Sequence, residues 1–232
     1  MTSTETDGKL DLIVSEDGID VFLGNGEGTF KQVAHYSNEG LDGIADFNGD
    51  GKLDLLVGIR EGLAVRIGNG DGTFQEPRKI VSLKGSGCSF GPSVFVTDFN
   101  GDGKADLAYC ESDSKNGKIW VALGNGDGTF KKPVSVTVHA YQGAFSFGVG
   151  DFNSDGKTDL IANYFTSGNY NHSETDLFLG NGDGTFQLKK IIDLPGQPYN
   201  AELGIVPADF NSDGLLDFIF QQPGDVSVFV QK

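Results

Sequence analysis

The chain has 232 residues, 38% hydrophobic and 22% charged, with 35 Gly, a single Met and a formal net charge of −16. This balance suits one compact domain or a small repeat array rather than a disordered polymer. An acidic surface with no basic cluster excludes nucleic acid and anionic membrane as partners, and with no apolar run of about 18 residues no helical membrane span is expected.

Met1 to Asp7 has neither a basic n-region nor an apolar h-region, so no secretory signal is expected there. Next, Gly8-Lys-Leu-Asp11 introduces the first of several short apolar runs, and Gly24-Asn-Gly-Glu-Gly-Thr-Phe30 follows. The acidic loop Asp46-Phe-Asn-Gly-Asp-Gly-Lys-Leu-Asp54 comes next. From there the two patterns alternate: Gly68 to Phe74, Asp98 to Asp106, Gly124 to Phe130, Asp151 to Asp159, Gly180 to Phe186 and Asp209 to Asp217. The Gly-rich motifs are spaced by 44, 56 and 56 residues and the acidic loops by 52, 53 and 58, so a unit of roughly 50 residues holds one of each. The units run approximately over 1–41, 42–92, 93–145, 146–203 and 204–232, the first and last incomplete.

Between motifs the apolar residues come in runs of four to seven, rich in Val, Ile, Leu and Phe and bounded by Gly and Asp, which is a strand pattern. In the third unit the strands are expected at Ser93 to Phe99, Lys104 to Cys110, Lys118 to Leu123 and Phe130 to Val138. Four antiparallel strands make a propeller blade. The predicted fold is therefore all-β, a single β-propeller domain over 1–232 with about five four-stranded blades and some 18 strands. It is either a small closed ring or a partial propeller completed by another chain. Alternation places the acidic loop and the Gly-rich turn at one end of every blade and the irregular connections at the other.

The acidic loops read as calcium sites. Oxygen ligands at positions 1, 3, 5 and 9, a carbonyl at position 7 and Gly at position 6 suit a hard cation. The candidate ligands are Asp46, Asn48, Asp50, Lys52 and Asp54; Asp98, Asn100, Asp102, Lys104 and Asp106; Asp151, Asn153, Asp155, Lys157 and Asp159; and Asp209, Asn211, Asp213, Leu215 and Asp217. Crowded carboxylates need a neutralising cation, giving about four Ca²⁺. An EF-hand is excluded because Val57, Tyr109, Ala162 and Phe220 stand where its bidentate Glu belongs. In the first unit only Asp7 and Asp11 keep their places, with Ser3 and Glu5 in the others, and no ion is expected there. Asp71, Asp127, Asp183 and Glu27 in the Gly-rich turns are assigned to hairpin geometry rather than metal. The repeated Phe30, Phe74, Phe130 and Phe186, with Phe47, Phe99, Phe152 and Phe210, are assigned to packing between blades.

DFNGDGKLDLLVG at Asp46 to Gly58, DFNGDGKADLAY at Asp98 to Tyr109, DFNSDGKTDLI at Asp151 to Ile161, DFNSDGLLDFI at Asp209 to Ile219 and the GNGDGTF motif together resemble the FG-GAP or VCBS repeat family, the repeat of integrin alpha-subunit propellers. The resemblance covers essentially the whole chain. It implies a β-propeller with Ca²⁺ in the DxNxDGxxD loops, and adhesion, lectin-like binding or partnership with a catalytic domain rather than catalysis.

Ligand binding is assigned to the irregular end, because loops on a rigid scaffold carry function. Trp120, Tyr141, Tyr164, Tyr170, His172 and Tyr199 are the candidate contacts, suited to glycans, with a protein surface or self-assembly into a homo-oligomer as alternatives. A polysaccharide lyase or hydrolase would need a clustered acid and base that no motif selects, so no enzyme is expected. Cys88 and Cys110 sit at the same end of one predicted blade, either free or bridged; a disulfide, like calcium loading, would suit a secreted or cell-surface location.

Overall fold

The computed structural model describes residues 7–83, 93–112, 117–140, 145–165, 172–195, 204–222 and 225–230. Among them there is no helix, and eighteen strands form five antiparallel sheets, each in chain order. Blade 1 holds β1 (Leu12–Ser15), β2 (Ile19–Gly24) and β3 (Phe30–Tyr36). Blade 2 holds β4 (Gly40–Ala45), β5 (Asp54–Ile59), β6 (Gly62–Arg66) and β7 (Arg78–Ser82). Blade 3 holds β8 (Val94–Thr97), β9 (Asp106–Ser112), β10 (Gly117–Ala122) and β11 (Val134–Val138). Blade 4 holds β12 (Phe145–Gly150), β13 (Asp159–Phe165), β14 (His172–Gly180) and β15 (Phe186–Pro195), and blade 5 holds β16 (Gly204–Ala208), β17 (Asp217–Gln222) and β18 (Asp225–Phe229). The all-β class and the four-stranded blades thus follow the sequence pattern.

The second strand of a blade reads as a continuous apolar run because it is covered on both faces. Four residues of β5 and all seven of β13 are buried. Outer strands such as β7 and β11 are largely exposed, so the core lies along the middle of each sheet. One strand start differs from expectation. The fourth strand of blade 3 begins at Val134 rather than Phe130, and Phe130 makes only an isolated bridge to Gly124. Pro133 lacks the N–H a ladder needs. Blade 2 does the same after Pro77, whereas blades 1 and 4, with no proline there, start the strand at Phe30 and Phe186.

The chain divides into two compact units, Met1–Lys84 with Gly124–Lys131, and Gly85–Leu123 with Lys132–Lys232. In the first, Ile19, Val21, Leu55, Val57, Ala64 and Phe74 form the buried cluster. The Gly-rich turn at 124–130 seats on the acidic loop of blade 2: Gly128 N–H donates to the Phe47 carbonyl at 2.9 Å, and the Phe47 and Phe130 rings meet edge-on at 6.0 Å. The second unit repeats the arrangement, with Phe99 and Phe186 edge-on at 5.9 Å. Its largest cluster includes Phe145, Phe147, Leu160, Ile119 and Cys110. The repeated phenylalanines accordingly join one blade to the next, with two exceptions. Phe30 and Phe210 are 41% and 44% exposed, and no ring contact reaches either among the described residues.

The fourth position of the acidic loop is left-handed in every copy: Gly49 (φ 74°), Gly101 (73°), Ser154 (57°) and Ser212 (61°). A Cβ is strained in that region. Ser154→Gly is therefore expected to raise stability by about 0.5–1 kcal/mol, the relief being partly offset by the freer unfolded chain. Urea unfolding of the variant checks this, and an unchanged or lowered midpoint would count against it.

Candidate functional site

Each acidic loop is organised by its first aspartate. Asp46 Oδ1 accepts the N–H groups of Gly49 (2.7 Å) and Asp50 (3.2 Å), and Oδ2 accepts that of Gly51 (2.8 Å). Asn48 Oδ1 takes Asp50 N–H and Asp50 Oδ1 takes Lys52 N–H, both at 2.9 Å. Asp98, Asp151 and Asp209 take the same sixth-position glycine N–H at 2.7, 2.8 and 2.9 Å. Burial pushes the Asp98 carboxyl up, but N–H bonds from Gly103, Asn100, Gly101 and Asp102 more than reverse this and hold it below the usual carboxylate range.

The ninth aspartate does something different. Asp54 is fully buried, its Oδ2 accepting Phe47 N–H at 2.9 Å and its Oδ1 accepting Gly68 N–H, from the Gly-rich turn, at 2.8 Å. Asp159 makes the same pair with Phe152 and Gly180 at 2.9 and 2.8 Å. Asp106 and Asp217 accept Phe99 and Phe210 N–H at 2.9 and 3.0 Å. Even the degenerate first unit keeps this latch, with Gly24 N–H on Asp11 Oδ1 at 3.0 Å. Burial pushes the Asp54 and Asp159 carboxyls up, the two N–H bonds pull them down, and the nearby loop aspartates push up again, for a net rise. The first glycine of the turn is needed for this close approach: a Cβ on Gly68 would lie 2.1 Å from the Leu53 carbonyl oxygen.

With the ninth aspartate turned into the latch, no group of three His, Cys, Asp or Glu side chains gathers at one point among the described residues. Besides the latch, each loop contains two carboxylates, an amide oxygen and the seventh residue's carbonyl, an all-oxygen set of the kind Ca²⁺ takes. A cation already faces it in three loops: Lys52, Lys104 and Lys157 Nζ stand 3.9, 3.6 and 3.9 Å from Asp50, Asp102 and Asp155 Oδ2. In the Gly-rich turns Asp71, Asp127 and Asp183 each accept the N–H of the second residue on, Thr73, Thr129 or Thr185, at 2.9 Å, which is turn geometry.

Of the candidate contacts at the other end of the blades, the side chains of Trp120 and Tyr164 are among the described ones. Tyr141, Tyr170, Tyr199 and Cys88 lie outside the described residues, as does the side chain of His172, which begins β14. Cys110, buried in β9, is disulfide-bonded. Trp120 is half-buried in β10. Its Nε1–H donates to Glu111 Oε2 at 3.1 Å, and Lys118 Nζ stands 5.3 Å from its ring centroid. Tyr164, assigned above as a ligand contact at the irregular end, instead lies within β13 and is 2% exposed, because the apolar run of that strand extends as far as Phe165. Its hydroxyl is 3.1 Å from both Glu174 Oε2 and Asp176 Oδ2.

One buried cluster escaped the motif reading. Arg66 Nε and Nη2 donate to the two oxygens of Glu39 at 2.7 and 2.8 Å, Nη1 donates to the Gln75 carbonyl at 2.6 Å, and the guanidinium lies 4.3 Å from the Tyr36 ring centroid. The signal available was an arginine inside the apolar strand Gly62-Leu-Ala-Val-Arg66-Ile67.

Comparison with known proteins follows the same units. The FG-GAP-like repeat profile matches three times, over residues 46–109, 98–162 and 164–220. Integrin alpha-PS3 of Drosophila melanogaster is 28% identical over 160 residues, 62% of this chain and 14% of that protein. Among solved structures, an Agrocybe aegerita lectin described as recognising non-reducing terminal N-acetylglucosamine superposes with a TM-score of 0.66 at 24% identity, over 94% of this chain and 58% of the lectin. A rhamnogalacturonan lyase of Bacillus licheniformis superposes with a TM-score of 0.52 at 15% identity, over 94% of this chain and 49% of the lyase. The two structural likenesses speak of fold, and the chain spans only part of each of these proteins.

Proposed function

Because the chain belongs to the FG-GAP-like repeat family, we propose that it is a non-enzymatic, calcium-stabilised β-propeller module that binds glycans through the end of its blades opposite the acidic loops. The observation that carries this reading is the division of labour between the two ends. At one end the first and ninth aspartates of the acidic loops are engaged in turn and latch hydrogen bonds that recur from blade to blade. At the other, the same strand position carries different, partly exposed chemistry: Asp20 and Trp120 each stand four residues before the first glycine of their turn. A uniform end supports the scaffold, and a variable one supports recognition.

Calcium would be held by Asp46, Asn48, Asp50 and the Lys52 carbonyl, and by their counterparts in the three later loops. A carboxylate has about four lone-pair sites, so Asp54 can serve ion and latch together. Bound ion would neutralise the paired loop carboxylates and fix the loops of blades 2 and 3 against the turns of the blades that follow them. The lectin likeness supports a sugar ligand; the integrin relative, and loop aromatics that do not repeat in sequence from unit to unit, support a protein surface as the second reading. Calcium loading at extracellular concentrations and the bonded Cys110 support a location outside the cell. Among the described residues no helix is long and apolar enough to cross a membrane.

A glycan array probed in millimolar calcium and again in excess chelator tests the ligand class. Signal on a defined sugar set that fades with chelator is expected. An array silent at saturating calcium would sink the lectin reading and leave protein recognition.

A further inference from the structure

Three buried side-chain oxygens among the described residues have no hydrogen-bond partner, Ser146 Oγ, Asn163 Oδ1 and Asp176 Oδ1, and all three lie in blade 4. They fall in neighbouring rows of the sheet, since Ser146, Asn163 and Thr175 are cross-strand partners and Phe147, Ala162 and Asp176 form the next row. Asp176 is the one that can change its charge. It is 2% exposed, and no Lys or Arg pairs with it among the described residues.

The geometry around it is short of a proton. Tyr164 Oη lies 3.1 Å from Asp176 Oδ2 and 3.1 Å from Glu174 Oε2. A phenol has one proton to give, so two ionised carboxylates cannot both be served by it. The equivalent positions of blade 3 show the contact with its proton supplied. There Trp120 stands where Asp176 does, four residues before the turn glycine, and Glu111 stands where Tyr164 does, five residues after the latch aspartate. Trp120 Nε1–H, a permanent donor, bonds Glu111 at the same 3.1 Å.

We propose that Asp176 donates a proton to Tyr164 Oη, which in turn donates its own to Glu174. The three residues then form one directed chain that locks this end of blade 4. Its surroundings leave little else to charge. Ala162 of β13 stands beside Asp176 in the row, with Phe147 of β12 beyond, and the blade 3 residues in the core cluster that holds both, Cys110, Ile119, Val121, Val138 and Ala140, include no free ionisable group. In the β14–β15 register Ile191 stands opposite Asp176 and Asp193 opposite Glu174. His139, exposed just after β11, is the opposite charge that acts on Asp176. Burial raises the Asp176 carboxyl first, and the Glu174 charge adds to this. The Tyr164 hydrogen bond and His139 oppose it, and the net direction is upward. For a carboxyl raised by folding, the stabilisation is complete below the unfolded value and is lost as pH rises through the folded one.

The full chain labelled with ¹³C at aspartate Cγ, titrated by NMR, tests the chain of protons. The buried aspartates Asp54, Asp159 and Asp176 are expected to titrate above the exposed ones, and Tyr164→Phe is expected to move the midpoint of Asp176 alone, which assigns it. In parallel, Asp176→Asn keeps a donor toward Tyr164 and cannot ionise. Wild-type unfolding free energy should therefore fall relative to this variant as pH rises through the midpoint. An Asp176 signal that titrates with the exposed aspartates, or parallel pH profiles for wild type and Asp176→Asn, would overturn the proposal. Should Asp176→Asn not fold, the wild-type titration with its Tyr164→Phe shift decides alone.

Discussion

Asp54→Ala is expected to destabilise the protein by about 3–5 kcal/mol, because it strips the acceptors from two buried N–H groups, each worth roughly 1–3 kcal/mol when left unmade. Those groups, Phe47 N–H and Gly68 N–H, tie the acidic loop to the Gly-rich turn of the same blade. Asp54→Asn is expected to be nearly as damaging, since one of its two terminal atoms becomes a donor facing a donor. The control is Asp50→Ala in the same loop. Asp50 is exposed, and its carboxylate supports only the Lys52 N–H and a lysine 3.9 Å away. In excess chelator, Asp50→Ala should cost less than about 1 kcal/mol, while in calcium it should lose one site's share of the ion's stabilisation. The Asp54 cost should persist in both conditions. Urea unfolding of the two variants with and without chelator separates latch from ligand, and an Asp54→Ala loss that vanished in chelator would show that the latch does not stabilise by itself.

Arg66→Ala carries the other large expected effect, about 3–5 kcal/mol, because it leaves Glu39 charged and buried without its partner. The two side chains are 8% and 9% exposed, so solvent does little to screen the loss. In a chain of this size each kcal/mol lowers the melting temperature by roughly 2–4 °C, so the shift should be of the order of 10 °C. Replacing both residues by apolar ones, Arg66→Met with Glu39→Leu, should recover much of it, since the desolvation cost of both charges disappears. If Arg66→Ala melts within about 2 °C of wild type, the pair is not the buried lock its geometry describes.

The repeat and the blades were legible in the sequence because their causes are local. Apolar runs such as Asp54-Leu-Leu-Val mark strands covered on both faces, and the left-handed Gly51 and Gly103 mark turns. Strand starts were less legible where one residue outweighs the pattern, as with Pro133, which delays β11 by four residues. The role of the ninth aspartate was only half legible. Its spacing says oxygen ligand, but its hydrogen bond to Gly68, 14 residues away, depends on how two loops meet across the sheet. Arg66 was missed because it belongs to no repeat. Tyr164 was assigned to the ligand end although it is buried within β13, because its contacts come from cross-strand register rather than from sequence neighbours.

Calcium dependence of unfolding bears most directly on the account. A ligand that binds only the folded state stabilises it by about 2.7 kcal/mol per site at a hundred times its dissociation constant. Thermal unfolding followed in excess EDTA and again in millimolar Ca²⁺ should therefore show a melting temperature that rises substantially with calcium and more weakly, or not at all, with equal Mg²⁺. Superimposable curves in EDTA and calcium would contradict the account, leaving the four acidic loops as turns held by their own hydrogen bonds.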